Sequence, residues 1–360
     1  MKDHALTSEP TALPLDASML DGLPDPVLLV DANHEIVDFN RAAKQLFGAD
    51  VLGAKLETTV ASTNIHEAID STLDGVPGTR TQMFLPYPIA RNYELNVWRL
   101  PDLKSLGPAW AMVVLHDVTA SKQAAQMRAD FVANVSHELR SPLSSLLGFI
   151  ETLRGPARDD EAATERFLKI MESEAQRMAR LINDLLALSK LETEEHIRPE
   201  DPVRIDRIIN QVIATLSGRA RERGQNLILD IPASLTPILG DADELTQVFQ
   251  NLIANAISYG HENTPIKIKV ATGHDVYESM SGGISVTVVN QGDGIPADEI
   301  PRLTERFYRA DKGRSRTMGG TGLGLAIVKH VVSRHRGHLD IQSKIGGETF
   351  FAVHLPNIDG

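Results

Sequence analysis

The chain has 360 residues, a formal net charge of −12, 42% hydrophobic residues and no cysteine. That length exceeds what one core usually serves, so two or three domains are expected. The acidic balance argues against nucleic acid or anionic lipid as the main partner, since both demand clustered Lys and Arg. Without cysteine there is no disulfide framework, thiolate nucleophile or flavin–cysteine adduct.

Residues 1–20 are polar with scattered Pro and Ser, and read as a disordered lead. From Leu23 the pattern changes to short apolar runs. PVLLVD and EIVDFN flank the turn Ala32-Asn33-His34 and predict a β-hairpin, and the helical stretch RAAKQLFG ends at Gly48. TQMFLPYP, YELNVWRL and AWAMVVLHDV predict three further strands, giving a small α+β domain over 21–118. Its Phe84, Tyr87 and Trp98 sit at strand positions, where aromatics serve as core or line a pocket. No apolar run approaches the roughly 20 residues of a membrane helix, and the N-terminus lacks the form of a signal peptide. A cytosolic location is expected, unless the chain is cut from a membrane protein.

Two long helices follow within 119–195. Phe131, Val135, Leu139, Leu143, Leu146, Ile150 and Leu153 recur at spacings of three and four, as do Phe167, Met171, Met178, Leu181, Leu185 and Leu188. Arg154-Gly155-Pro156 breaks the pattern, and Asp159-Asp160-Glu161 favours a new helix start through the helix dipole. The product is an antiparallel hairpin. One hairpin buries so long a seam poorly, so two copies are expected to form a four-helix bundle. The spacing speaks for packing and not for catalysis.

Residues 203–357 predict a third domain. RIDRIINQVIATLSGRARERG is an amphipathic helix closed by Gly224, NLILDI is a strand, and DADELTQVFQNLIANAISYG is a helix with Asp241 as its N-cap. PIKIKVAT and ISVTVVN are strands, Asp298 to Phe307 is expected to be helical, LAIVKHVVSRHRG is a helix, and HLDIQS with TFFAVHLP closes as a hairpin. Helices are expected to cover one sheet face.

The chemistry concentrates in a few segments. In FVANVSHELRSPL, His137 directly precedes Glu138 on an amphipathic helix; a carboxylate accepting from one ring nitrogen would leave the other nucleophilic. A lone helical histidine is ordinarily a solvated or packed group, so this pair needs support from elsewhere. Pro142 removes a helical hydrogen bond and is expected to kink the helix below His137. Downstream, Asn251, Asn255 and Tyr259 share one helix face, and an amide oxygen suits Mg²⁺, although such pairs are commonly just solvated. Asn290-Gln291-Gly292-Asp293-Gly294-Ile295 follows a strand, where glycines let backbone approach a flat ring. ERFYR (Glu305 to Arg309) precedes a polar lid-like stretch, DKGRSRTMGG. Gly320-Thr321-Gly322-Leu323-Gly324-Leu325 opens a helix whose N–H groups suit phosphate. Each alone is weak evidence; the ordered set is strong.

That order resembles the sensor histidine kinases of two-component systems. FVANVSHELRSPL is similar to their H box, QVFQNLIANAISYG to the N box, NQGDGI to the first glycine box, ERFYR to the F box and GGTGLGLAIVKH to the second glycine box. The segment 21–118 resembles a PAS sensor domain, and IPRLTERFYRADKGRSR resembles the phosphate-regulon sensor kinases, which usually carry N-terminal membrane anchors. The resemblance implies a multidomain α+β protein: a PAS-like sensor, a helical hairpin forming a dimeric four-helix bundle, and an α/β sandwich ATP-binding domain. It implies His137 as phospho-acceptor and Glu138 as its base or orienter. Asn255 would hold Mg²⁺ with Asn251 in support, and Tyr259 would lie near the nucleobase. Asn290, Gly292 and Gly294 would form the adenine side, and Arg309 with Gly320, Thr321, Gly322, Leu323 and Gly324 would meet the phosphates. ATP, Mg²⁺, a second copy of the chain and a response regulator are the implied cofactors and partners.

Three positions depart from the family pattern. Relatives place aspartate where Asn290 stands, so weaker ATP binding is expected, because an amide accepts without charge assistance. Ser258 stands where many relatives carry a basic residue, which lid arginines such as Arg314 or Arg316 would replace. Ser141 stands where phosphatase-competent relatives carry threonine or asparagine, and its hydroxyl keeps that activity open. A zinc protease would need a second histidine at Ser141. A different ATPase of the same nucleotide fold leaves the histidine hairpin unexplained. A phosphatase-only or scaffold protein with a weakened ATP site is the rival reading. His330, His335 and His338 form no metal-ligand pattern and are expected at the surface.

Overall fold

Strand β1 (Val27–Val30) is fully buried and pairs antiparallel with β2 (Ile36–Phe39) on one side and with β5 (Trp110–Asp117) on the other. In this computed structural model, which describes residues 20–60, 63–86, 89–100, 110–272, 283–310 and 320–357, the chain divides into two units, one ending at Asp130 and the next beginning at Phe131. The first unit is built on a five-stranded antiparallel sheet of order β2-β1-β5-β4-β3, with β3 Thr79–Leu85 and β4 Arg91–Leu100. Period-two alternation selects its inner face: Tyr93, Leu95 and Val97 of β4 are buried, with polar residues between.

Helices α1 (Arg41–Phe47), α2 (Leu56–Thr59) and α3 (Thr63–Leu73) belong to the same unit. The Asn40 side chain caps α1 by accepting from Ala43 N at 2.9 Å, and also accepts from Val27 N at 2.9 Å, fixing the helix to the sheet. Gly48 closes α1 with φ 91°, a backbone state glycine adopts without strain. Helix α3 was not evident from the sequence, yet Ile65, Ala68 and Ile69 are buried in the sheet core. Phe84 and Trp98, by contrast, are 61% and 39% exposed and so belong neither to the core nor to an enclosed pocket; Tyr87 lies outside the described residues, as do 1–19.

The second unit begins within helix α4 (Thr119–Arg154), which continues without interruption through a buried Pro142. Its antiparallel partner α5 (Glu161–Glu194) is capped by Asp160, whose side chain accepts from Ala163 N. Next come β6 (Pro202–Val203), α6 (Ile205–Glu222), β7 (Leu227–Asp230), β8 (Ile238–Leu239), α7 (Ala242–Tyr259), β9 (Ile266–Thr272), β10 (Ile284–Gln291), α8 (Gly324–Arg334), β11 (His338–Ser343) and β12 (Glu348–Leu355). The major sheet runs β11-β12-β10-β9-β7, with only β7 and β9 parallel; β6 and β8 form a separate ladder. Apolar residues of α6, α7 and α8 join those of β9, β10 and β12 in one core centred on Phe249, Ile253, Val288 and Val328. The lysines of β9 alternate outward from buried Ile266, Ile268 and Val270.

The expected helix from Asp298 to Phe307 is absent; only a 3₁₀ turn, Ile300–Arg302, forms there. Ile300, Leu303 and Phe307 have helical spacing, but Pro301 limits the turn and Phe307 takes φ 63°, which a right-handed helix forbids. Among the described residues no helix is long and apolar enough to cross a membrane.

Candidate active site

His137 is exposed on α4, and among the described residues no hydrogen bond or ion pair reaches its ring. Neighbours on a helix point to different faces, and Glu138 accordingly turns away. Its Oε2 accepts from Arg177 of α5 at 2.7 Å and from Arg309 at 3.1 Å. The Glu138–imidazole hydrogen bond expected from adjacency is therefore not made in this arrangement. Ser141, one turn on, is exposed, and its carbonyl accepts from the Ser145 hydroxyl.

Arg309 lies outside any helix and its side chain is only 8% exposed. Besides Glu138 it donates to the Gly320 carbonyl at 2.7 Å, so the residue expected to meet phosphate is here spent on the histidine helix and on the glycine-rich turn. Four more contacts join the same elements. Phe307 packs on Phe131 with ring centroids 5.9 Å apart; Arg306 lies over Phe131 and pairs with Glu192 at 2.5 Å; Thr321 donates to Asp184 of α5 at 2.8 Å. Burial pushes the Asp184 carboxyl above its usual range, against the opposing hydrogen bond from Thr321. Arg177, Asp184 and Glu192 were not singled out in the sequence, each being a charged helix residue with no local signature, whereas Arg306 lies within the ERFYR segment.

The asparagine face of α7 confronts the start of α8. Asn251 donates to the Gly324 carbonyl at 3.3 Å, and a Cβ on Gly324 would sit 3.4 Å from the Asn251 amide. Leu323 is buried and precedes the first residue of α8, while Thr321 Oγ1 accepts from its N–H at 3.3 Å. Gly322 has φ 74° and faces the Phe307 backbone, where a Cβ would approach 3.0 Å. Asn255 is half-buried and engages no described residue, leaving its amide available as a hard oxygen ligand. Tyr259 is 39% exposed at the end of α7.

Asn290, near the end of β10, is 4% exposed, and its amide makes no hydrogen bond among the described residues. A buried amide with unspent donors and acceptors suits a planar ligand carrying complementary groups. Gly292 bridges to Gly260, with room for no side chain against the Tyr259 carbonyl, and Gly294 (φ 77°) lies against the Lys344 backbone. The residues present thus fit a nucleotide. Arg314 and Arg316 lie outside the described residues.

His335, expected at the surface, is 1% exposed. Its Nε2 accepts from the Asp241 N–H at 3.0 Å and its Nδ1 lies 2.8 Å from the Val331 carbonyl, so the ring is a neutral connector; burial holds its pKa below the usual value. Beside it Arg334 pairs with Glu244 and Glu194 and donates to the Ile197 carbonyl.

Comparison with known proteins agrees with this arrangement. Residues 240–358 match the family of histidine kinase-, DNA gyrase B- and HSP90-like ATPases, 127–194 the His Kinase A phospho-acceptor domain and 17–77 a PAS domain. The phosphate regulon sensor protein PhoR of Pseudomonas aeruginosa is 34% identical over 92% of this chain and 72% of its own length. The sensor protein kinase WalK of Staphylococcus aureus is 39% identical over 68% of this chain, which spans 57% of that relative. The histidine kinase ThkA, solved in complex with the response regulator protein TrrA, shares the fold at a TM-score of 0.50 and 21% identity, over 94% of this chain and 98% of that one. With a phospho-acceptor hairpin, an ATPase fold and a relative matched over most of both lengths, the chain belongs to the two-component sensor histidine kinases, ATP-dependent enzymes that phosphorylate a histidine.

Proposed function

We propose that His137 takes the γ-phosphoryl group of ATP and passes it to an aspartate of a response regulator, in phosphate-starvation signalling, a reading supported by the likeness to a Pseudomonas protein named a phosphate regulon sensor. Residues 21–118 would sense, 119–195 would carry the histidine and pair two copies, and 203–357 would bind ATP. An imidazole nitrogen attacks the γ-phosphorus; the N–P bond forms as the bond to the bridging oxygen breaks, and ADP leaves with that electron pair. The ring proton goes to Glu138 or to water. Asn255, positioned beside Asn251, would hold Mg²⁺, which when bound neutralises charge on the phosphate oxygens.

The observation that carries this reading is the grip of Arg309 on Glu138, the residue beside the acceptor, at 3.1 Å. It joins the ATP-binding fold to the histidine helix, and it describes a state in which the base is occupied. Transfer requires the Arg309 loop to release Glu138, freeing one group for the proton and the other for phosphate. Pairing of two hairpins is supported by an exposed apolar stripe, with Leu143, Leu147 and Leu186 48%, 54% and 66% exposed. The exposed Ser141 hydroxyl, one turn from His137, supports a phosphatase step on the regulator through an oriented water.

The test is incubation of the purified chain with γ-labelled ATP and Mg²⁺. Acid-labile, base-stable label that vanishes in His137→Ala and moves to a regulator is the expected result. No label under any divalent cation, or label retained in His137→Ala, overturns the reading in favour of a scaffold.

A further inference from the structure

Ser258 stands three residues after Asn255 and seven after Asn251, so all three project from one face of α7. Its hydroxyl is committed on both sides. Oγ donates to the Ala254 carbonyl at 2.8 Å and accepts from Nη2 of Arg219, on the neighbouring helix α6, also at 2.8 Å. Ser258 is 8% exposed, whereas Arg219 is exposed, so a buried anchor holds a guanidinium that remains open to solvent.

Several arginines around this fold are engaged by carboxylates: Arg204 by Asp206, Arg306 by Glu192, Arg309 by Glu138 and Arg334 by Glu244. Arg219 pairs with no carboxylate among the described residues. In a chain of net charge −12, this is an uncompensated cation, fixed beside the asparagine face. A guanidinium has five N–H donors, and the bond to Ser258 uses one. The remainder form a planar fork that matches phosphate oxygens.

We infer that Arg219, held by Ser258, binds the phosphates of the nucleotide and supplies the positive charge that the α7 face itself lacks. The inference rests on the ATP-binding reading above and assigns to α6 a role that the sequence alone suggested for the lid arginines. Serine at 258 is then a seat for a cation from the next helix, and the charge is retained by relocation.

The experiment is calorimetric titration of the full chain with Mg-ATP, Mg-ADP and adenosine, for the wild type, Arg219→Gln, Ser258→Ala and the double variant Arg219→Gln/Ser258→Lys. Arg219→Gln should weaken both phosphorylated ligands about tenfold, the size of one charge-assisted contact, and leave adenosine unchanged. Ser258→Ala should weaken them less, and lysine at 258 should restore them in the double variant. The ratio of Mg-ATP to adenosine affinity is the diagnostic, because a merely structural role scales both ligands together through the folded fraction. An unchanged ratio in Arg219→Gln overturns the inference while leaving ATP binding intact. Failure of the wild type to bind Mg-ATP overturns the ATP-binding reading, and this inference with it.

Discussion

Arg309 and Glu138 lie 171 residues apart in sequence and share an ion pair at 3.1 Å, with Arg177 on the same carboxylate oxygen at 2.7 Å. The general base candidate is thereby removed from the histidine beside it. Both arginine side chains are mostly buried, 8% and 15% exposed, so neither has ready access to water as a substitute partner.

Glu138→Gln keeps the shape of this junction and removes its charge. We expect a loss of about 2 kcal/mol in unfolding stability, since charge-assisted bonds become neutral ones and two guanidinium groups lose their counterion. Autophosphorylation should fall by at least about tenfold, as expected of a lost general base. Urea unfolding and single-turnover labelling measure the two effects separately.

Asn290→Asp should tighten Mg-ATP binding by about fivefold, because a carboxylate accepts from an exocyclic amine with charge assistance. The same change places an ionised group at a site 4% exposed, so the nucleotide-free protein should melt earlier. Titration calorimetry and thermal melting, with and without nucleotide, should move in opposite directions.

Gly294→Ala adds a Cβ that would collide with the Lys344 carbonyl, at a residue with φ 77°. A cost of about 1–3 kcal/mol is expected from the left-handed backbone and its crowding. Nucleotide affinity should drop with it, as the loop joining β10 to the following turn is displaced. Denaturant midpoints and Mg-ATP titration provide the check.

The Arg334 cluster makes stability depend on pH. His335 has a folded pKa below its unfolded value, so it contributes nothing adverse above about pH 6.5, and stability is lost as pH falls and the unfolded state takes up the proton. Asp184 runs the other way: its folded pKa is raised, so its buried carboxyl is most favourable when protonated and costs stability as pH rises through that value. Asp184→Asn should therefore raise stability at neutral pH, by removing the buried charge while keeping an oxygen to accept from Thr321. Arg334→Leu should cost about 3–5 kcal/mol at pH 7, by leaving Glu244 buried without its cation. That loss should shrink in acid, where Glu244, already raised by burial, takes up a proton. Melting temperatures across pH 4–8 for wild type and both variants test these signs.

Much of the local architecture was legible in the chain because its signals are short-range. Asp160 and Asp241 announce the helices they cap, Gly48 and Gly224 the helices they close, and Ile266, Ile268 and Val270 the inner face of β9. The segment 298–307 misled for the same reason: Ile300, Leu303 and Phe307 keep helical spacing, while Pro301 and the positive φ of Phe307 override it. His335 reads as a surface residue at a helix end, and only the Asp241 N–H, 94 residues away, explains its burial.

By itself, then, the sequence determined the local elements and offered candidates for the chemistry: His137 on an amphipathic helix, Asn251 and Asn255 on one face, and glycines where backbone approaches backbone. The elements follow from periodicities of a few residues, and the candidate roles from the order of short motifs and the family resemblance which that order carries. The tertiary structure alone decided the pairings. It placed Glu138 with Arg177 and Arg309, Asp184 with Thr321, and Arg219 with Ser258, because charges distant in sequence carry no mark of their partner until packing brings them within hydrogen-bond reach and removes the competing water.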